Sequence, residues 1–319
     1  MPIKVQSDLP ASQILEKENI FVMSENRALH QDIRPIEIGI LNLMPIKEDT
    51  ELQLLRLLSN TPLQVNITFL SLTSHQPKNT SRSHLNNFYT TVPEYVKSGG
   101  KLDGMIITGA PLERMDFDKV DFWDELSKIF DYCKDHVTSV FFVCWGALAA
   151  LYYYYDIPKY ALDRKLSGIY KHYVNNRKIP LMRSFDDVFL APHSRFSEVR
   201  KEDIEKIPEL SILAESPEAG IYVVMKNDGS EIYVMGHPEY DRMTLDDEYH
   251  RDMDRGLEPD IPKNYYENDD PSKKPLLTWR ANSNNLYTNW LNYYVYQATP
   301  YDIRDVKSLA NIPGDDARR

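Results

Sequence analysis

Two cysteines in 319 residues leave no disulfide framework, so the fold rests on its core and suits a reducing compartment. A surplus of positive charge is also missing. With 48 acidic against 37 basic residues the formal net charge is -11, which argues against nucleic acid and anionic membranes as general partners, because both are polyanions. No apolar run reaches the length of a membrane span. The longest, 140–155, contains Gly146 and closes on four consecutive tyrosines. The opening Met1-Pro-Ile-Lys-Val-Gln-Ser-Asp8 lacks the apolar segment of a secretory signal, and a cytoplasmic location is expected. The eight histidines show no ligand spacing, so neither a metal nor a resident cofactor is expected. A Gly-rich phosphate loop, internal repeats and low-complexity tracts are likewise absent.

What is present reads as one large α/β domain. Four apolar segments, 36–43, 65–72, 104–108 and 137–143, have the length and β-branched or aromatic content of core strands. Between them, 49–59 and 121–136 carry helical spacing. Cys133 falls on the apolar stripe of the second helix with Phe122, Leu126, Ile129 and Phe130, which makes it a packing residue. Strand and helix in alternation predict a mostly parallel sheet covered on both faces, with the active site at the carboxyl ends of the strands. Beyond 182 the pattern changes to strands at 184–195 and 210–215. A hairpin of 221–226 and 232–235 follows, around Asn227-Asp-Gly229. A helix over 244–255, an extended surface crossing over 257–280 and a final aromatic helix over 281–297 complete the reading. The expected organisation is an N-terminal arm (1–35) with one short helix, a single catalytic domain (36–304) and a polar, frayed tail (305–319).

The segment Ser139-Val-Phe-Phe-Val-Cys-Trp-Gly-Ala-Leu-Ala-Ala-Leu151 carries the chemistry. A buried strand runs to Val143, a helix runs from 147 to 155, and Cys144 lies at the sharp turn between them. A thiol there is expected at the exposed tip of a strand on the positive end of a helix, a setting that favours the nucleophilic thiolate. A buried packing cysteine fits the turn equally well. The second half decides between them. In Gly236-His-Pro-Glu-Tyr240 a short strand has just ended, and His237 and Glu239, two apart on extended chain, point the same way. A cysteine nucleophile needs a base, and the base needs an orienting acceptor on its other ring nitrogen.

Seven motifs together resemble the homoserine O-acyltransferases of methionine biosynthesis: Asn42-Leu-Met-Pro-Ile-Lys47, Thr108-Gly-Ala-Pro111, Val143-Cys-Trp145, Phe185-Asp-Asp187, Ala191-Pro-His-Ser-Arg195, Gly236-His-Pro-Glu-Tyr240 and Asn289-Trp-Leu-Asn-Tyr-Tyr-Val-Tyr-Gln297. The branch resembled is the one built on the class I glutamine amidotransferase-like (flavodoxin-like) three-layer sandwich. The resemblance implies that Cys144 carries the acyl group as a thioester, with His237 as general base and Glu239 orienting it. Lys47 and the Trp145 N–H would form the oxyanion hole, and Lys165, Ser194 and Arg251 would contact substrate. It also implies L-homoserine and acyl-CoA as substrates, acetyl-CoA being a cosubstrate rather than a cofactor, and a homodimer. Without the resemblance, Arg251 would read as a solvated arginine paired to Glu248 or Asp254, and Lys165 and Ser194 as surface residues.

Glu113 sits where the family's residue is associated with the choice of donor, Glu with acetyl and Gly with succinyl. A fixed carboxylate near the acyl pocket would repel the terminal carboxylate of succinyl, by up to about 4 kcal/mol for charges ~4 Å apart at an effective dielectric of about 20. The expected activity is therefore homoserine O-acetyl transfer. Succinyl transfer is the alternative inside the family, and it would hold if Glu113 pointed to solvent. A glutamine amidotransferase-type hydrolase shares the Cys-His-Glu set but usually has Gly two before the Cys, where this chain has Phe142. A non-catalytic protein on the same fold is the remaining reading, opposed by the intact set.

Overall fold

The computed structural model of the chain describes residues 3–4, 10–17, 22–23, 34–75, 79–300 and 303–308. Among these residues twelve strands form one sheet: β1 (Ile3–Lys4), β2 (Val22–Met23), β3 (Ile36–Leu41), β4 (Val65–Ser71), β5 (Tyr89–Thr91), β6 (Leu102–Ile107), β7 (Val137–Val143), β8 (Tyr160–Val174), β9 (Val188–Glu198), β10 (Leu210–Ser216), β11 (Gly220–Lys226) and β12 (Glu231–Val234). Their order is β2-β1-β4-β3-β6-β7-β12-β11-β10-β8-β9, with β5 beside β4. Neighbours from β2 through β12 pair in parallel, and those from β12 through β9 pair antiparallel. The helices are α1 (Pro10–Lys17), α2 (Lys47–Leu58), α3 (Arg82–Phe88), α4 (Val92–Lys97), α5 (Trp123–His136), α6 (Trp145–Tyr155), α7 (Lys201–Ile204), α8 (Thr244–Asp254) and α9 (Arg280–Asn289).

The continuous apolar run of β7 reflects burial on both faces. Successive side chains alternate. Phe141 and Val143 enter one core with Tyr287 and Trp290 of the C-terminal segment, while Val140 and Phe142 enter the opposite core with Phe130 and Tyr233. At about 1.5–3 kcal/mol per fully buried large apolar side chain, these rings fix the position of β7 between two layers.

Register aligns the carboxyl ends. Leu41 of β3 pairs with Ile107 of β6, Ile107 with Phe142 of β7, and Val143 with Val234 of β12. The chain leaves each strand at one level, so the segments carrying Lys47, Glu113, Cys144 and His237 emerge along one edge of the sheet. Thr108 stitches two of them, its N–H donating to the Leu41 carbonyl at 3.1 Å and its Oγ1 accepting from the Leu43 N–H at 2.8 Å.

Several elements depart from the sequence reading. Helix α2 begins at Lys47 rather than at 49, and its side-chain cap comes from Thr80, whose Oγ1 accepts the Lys47 N–H at 3.2 Å. Helix α6 begins at Trp145, directly after Cys144. The fifteen-residue β8 was not anticipated. Its central Asp163-Arg164-Lys165 breaks the apolar alternation, and its register with β9 shifts between Ala161 and Leu166. The crossing over 257–280 is anchored rather than superficial, since Tyr265, Tyr266 and Trp279 are buried with Tyr240 and Leu245. The final helix is α-helical through Asn289 and π-helical over Trp290–Tyr296. The N-terminal arm supplies α1 and also adds β1 and β2 in parallel to the sheet edge. Of the 305–319 tail, Val306 and Ser308 are buried, and 309–319 lies outside the described residues.

Candidate active site

Cys144 joins β7 to α6 with φ 48° and ψ -117°. This left-handed geometry is costly for a residue bearing Cβ. Three features hold it. Its N–H donates to the Val234 carbonyl at 2.7 Å, and its carbonyl accepts from the Ala147 and Leu148 amides at 3.0 and 3.1 Å. Two glycines then allow close approach. A Cβ on Gly146 would sit 2.6 Å from the Thr108 carbonyl oxygen, and one on Gly109 would sit 3.3 Å from the Cys144 Cβ and 3.7 Å from the His237 Cε1. The loop after β6 therefore packs over the elbow. As a result Cys144 is 2% exposed, a correction to the exposed tip expected from the turn alone. Cys133 is buried too, and burial pushes its thiol far above the usual range.

His237 is buried directly after β12, and its N–H donates to the Pro192 carbonyl at 2.9 Å. Nδ1 lies 2.7 Å from Glu239 Oε1, which leaves Nε2 for the hydrogen bond to Cys144. Burial works to lower the imidazole pKa, but Cys144 and Glu239 outweigh it and hold it well above the ordinary value. The ring is stacked on Tyr240, centroids 4.1 Å apart. Beneath the loop lie His193 and His172, both fully buried, with Nε2 atoms 2.9 Å apart. Burial lowers both, His172 to about 3.

Lys47 is buried at the start of α2, its Nζ donating to the Asn42 carbonyl. Burial lowers its pKa to about 8, against the upward pull of Glu51 and Glu48. A network of buried groups stands behind it. Glu51 Oε1 accepts from the Tyr89 hydroxyl at 2.7 Å and lies 2.8 Å from His84 Nε2, and Asn42 Nδ2 donates to the Tyr89 oxygen at 3.1 Å. The Trp145 N–H heads α6, where helix geometry leaves an amide without an internal acceptor.

Lys165, Ser194 and Arg251 converge on α8. Glu248 is the hub: Lys165 Nζ donates to it at 2.8 Å, the Tyr240 hydroxyl at 2.8 Å, and Ser194 Oγ also donates. Burial would raise the Glu248 carboxyl, yet Lys165 and the hydroxyls hold it below the usual range. Arg251 is half-exposed, and its Nε and Nη2 grip Asp252 at 3.0 and 2.9 Å, rather than Glu248 or Asp254. Glu113 is half-buried. Burial raises its pKa, while its backbone, His237 and Lys165 lower it and Glu248 raises it further. Its carbonyl is fixed at 2.8 Å by both Lys159 Nζ and Ser197 Oγ.

The sequence reading placed Lys47, Glu113, Cys144 and His237 after strand ends and Arg251 on a helix; Lys165 and Ser194 came only from the resemblance, and the structure puts them within β8 and β9. The sequence reading missed Glu248 as a hub, the Glu51–Tyr89–Asn42 network and the two close-approach glycines. The three-residue spacing of Glu248 and Arg251 on one face of α8 was the available signal. Among the described residues, no group of three His, Cys, Asp or Glu could hold a metal, and no helix is long and apolar enough to cross a membrane.

Residues 2–301 match a profile described as homoserine O-succinyltransferase. The chain is 62% identical to a homoserine O-acetyltransferase of Lachnospira eligens, covering 96% of this chain and 98% of that one. It is likewise 62% identical to one of Lachnoclostridium phytofermentans (95% and 100%) and 58% identical to one of Thermotoga neapolitana (96% and 100%). Among solved structures, a glutamine amidotransferase of Thermotoga maritima superposes with a TM-score of 0.52 at 9% identity, covering 82% of this chain and 99% of that one, which is a likeness of fold.

Proposed function

The chain belongs to the homoserine O-succinyltransferase family, and from that footing we propose that it is a homoserine O-acetyltransferase working through a Cys144 thioester. The observation that carries the reading is the hydrogen-bonded Cys144–His237–Glu239 chain, with the half-buried Glu113 on the loop after β6. The profile bears the succinyl name and the relatives at 62% identity bear the acetyl name. The half-buried Glu113 carboxylate favours the donor without a terminal charge.

The reaction balances on two groups. His237 takes the Cys144 thiol proton through the hydrogen bond between them. The sulfur attacks the acetyl carbonyl of acetyl-CoA, and the tetrahedral oxyanion is met by Lys47 Nζ and the Trp145 N–H. Each such donor is worth roughly 3 kcal/mol. Collapse breaks the bond to CoA sulfur, which leaves with the His237 proton. Neutral His237, held by Glu239, then takes the proton of the homoserine γ-hydroxyl as that oxygen attacks the acyl-enzyme. The second collapse passes that proton from His237 to the Cys144 sulfur and releases O-acetyl-L-homoserine. One covalent intermediate between two half-reactions gives ping-pong kinetics.

For homoserine, the Arg251 fork can exchange Asp252 for the substrate carboxylate. Glu248, steadied by Lys165 and Ser194, offers an anion to the ammonium. The reading needs no metal or resident cofactor, and it takes the working form to be a cytoplasmic homodimer, which sedimentation of the purified protein tests. The test of function pairs acetyl-CoA with succinyl-CoA in the presence of L-homoserine, following released CoA thiol, and examines a homoserine-free sample by intact mass. Turnover with acetyl-CoA and an acetyl adduct on Cys144 are expected. Preference for succinyl-CoA overturns the role given to Glu113. No adduct with turnover intact overturns the covalent route.

A further inference from the structure

The loop that carries the base folds back on itself. Pro238 presets the backbone of a tight turn, and the Tyr240 N–H donates to the His237 carbonyl at 3.1 Å. That turn lays the Tyr240 ring on the His237 imidazole, with centroids 4.1 Å apart and planes 19° from parallel. The base is therefore held in two directions. Glu239 takes Nδ1 in the plane of the ring, and Tyr240 covers a face. A ring held by one hydrogen bond can still tilt about it, and an aromatic plane against its face stops the tilt. An aromatic face also favours the imidazolium that forms each time His237 takes a proton.

The far end of Tyr240 is equally determined. Its hydroxyl donates to Glu248 Oε1 at 2.8 Å, while Lys165 and Ser194 donate to Oε2 of the same carboxylate. Packing alone does not call for a tyrosine here. The ring is buried with Ile169, Leu245, Tyr265 and Trp279, and phenylalanine would fill nearly the same space. A buried hydroxyl needs a partner, and Glu248 is that partner. The backbone beneath is braced from the 257–280 crossing, where Trp279 Nε1 donates to the Tyr240 carbonyl at 3.0 Å. One side chain thus spans from the base to the carboxylate that offers itself to the homoserine ammonium.

We propose that Tyr240 is a positioning residue of the acyl transfer: its ring sets the plane of His237 for both half-reactions, and its hydroxyl sets Glu248 for the second alone. Both roles presuppose acyl transfer through Cys144 to homoserine. The half-reactions are measured apart. Rapid-quench release of CoA from the preferred acyl-CoA, without homoserine, reads the first, and kcat/KM for homoserine reads the second. Tyr240→Phe keeps the ring and removes the hydroxyl. It is expected to lower kcat/KM for homoserine about tenfold or more, the worth of a hydrogen bond to a charged group, and to slow the CoA burst less than about twofold. Tyr240→Leu removes the ring as well, and is expected to slow the burst about tenfold, the strength of a desolvated contact between cation and ring. A tyrosine that only packs would show no such split in Tyr240→Phe. A burst slowed in Tyr240→Phe as much as homoserine turnover or more, or no loss in either, overturns the proposal and leaves acyl transfer standing. That variant decides the matter whether or not Tyr240→Leu folds. An undiminished burst in a folded Tyr240→Leu overturns the role of the ring. An unaltered protein that releases no CoA from either acetyl-CoA or succinyl-CoA overturns the proposal and the acyl-transfer reading together.

Discussion

Replacing Glu51 with Gln removes a buried negative charge one helical turn from Lys47 while keeping the volume and an oxygen acceptor for Tyr89 or His84. The side chains are four apart on α2, so their Cβ atoms are about 5–6 Å apart. At ~6 Å and an effective dielectric of about 20, the lost attraction is about 3 kcal/mol, or about two pH units for the lysine proton. Lys47 starts from about 8, already lowered by burial and held up by Glu51 and Glu48. The sign follows directly. Without the Glu51 charge the ammonium is harder to sustain, so it gives up its proton at lower pH. If the ammonium meets the oxyanion, the alkaline limb of kcat/KM for acetyl-CoA moves acidward by about two pH units. The assay is initial-rate CoA thiol release across the pH range, on variant and parent, with circular dichroism confirming the fold. An unmoved limb in a folded variant refutes the reasoning, because the reaction would then not feel the charge on Lys47.

Three further outcomes are expected. Glu113→Gly raises use of succinyl-CoA, and because the Glu113 carboxyl lies above the usual range it takes its proton early as pH falls, so in the unaltered protein preference for acetyl-CoA weakens toward acid. Donor competition at several pH values checks both, and a preference independent of pH counts against charge as the cause. Iodoacetamide modifies Cys144 and spares Cys133, whose thiol burial keeps protonated, and peptide mapping that finds Cys133 labelled first would be contrary. Asp103→Ala lowers stability by about 3–5 kcal/mol, since it strands a buried ion-pair partner. Asp103 is fully buried and accepts from Arg34 Nη1 at 2.8 Å, Arg34 Nη2 at 3.0 Å, the Glu37 N–H at 2.8 Å and Thr299. Denaturant unfolding that finds a loss under about 1 kcal/mol would mean the pair is compensated.

The parts legible in the sequence were those written in local pattern. Strand β7 is a continuous apolar run because both its faces are buried, and the glycine after β12 marks where His237 begins its loop. What escaped was set by distant partners. The cap of α2 comes from Thr80, a residue 33 positions away, so nothing beside Lys47 announces the helix start. Strand β8 carries Lys165 inward only because Glu248 and Asp252 wait on α8, and in sequence Lys165 reads as a surface residue. The burial of Cys144 depends on Gly109 and Gly146, whose missing Cβ atoms matter only once β6 and β7 lie side by side.

The elbow at Cys144 also bears on how this protein can change over time. A side-chain-bearing residue at φ 48° and ψ -117° stores strain of order 1–3 kcal/mol, and glycine would occupy the same geometry almost freely. The best-folded version of this chain is therefore one without its nucleophile. A laboratory evolution that rewards heat resistance and ignores turnover has an easy first step at position 144, and inactive, hardened descendants should accumulate there before the cores on either side of the sheet are touched.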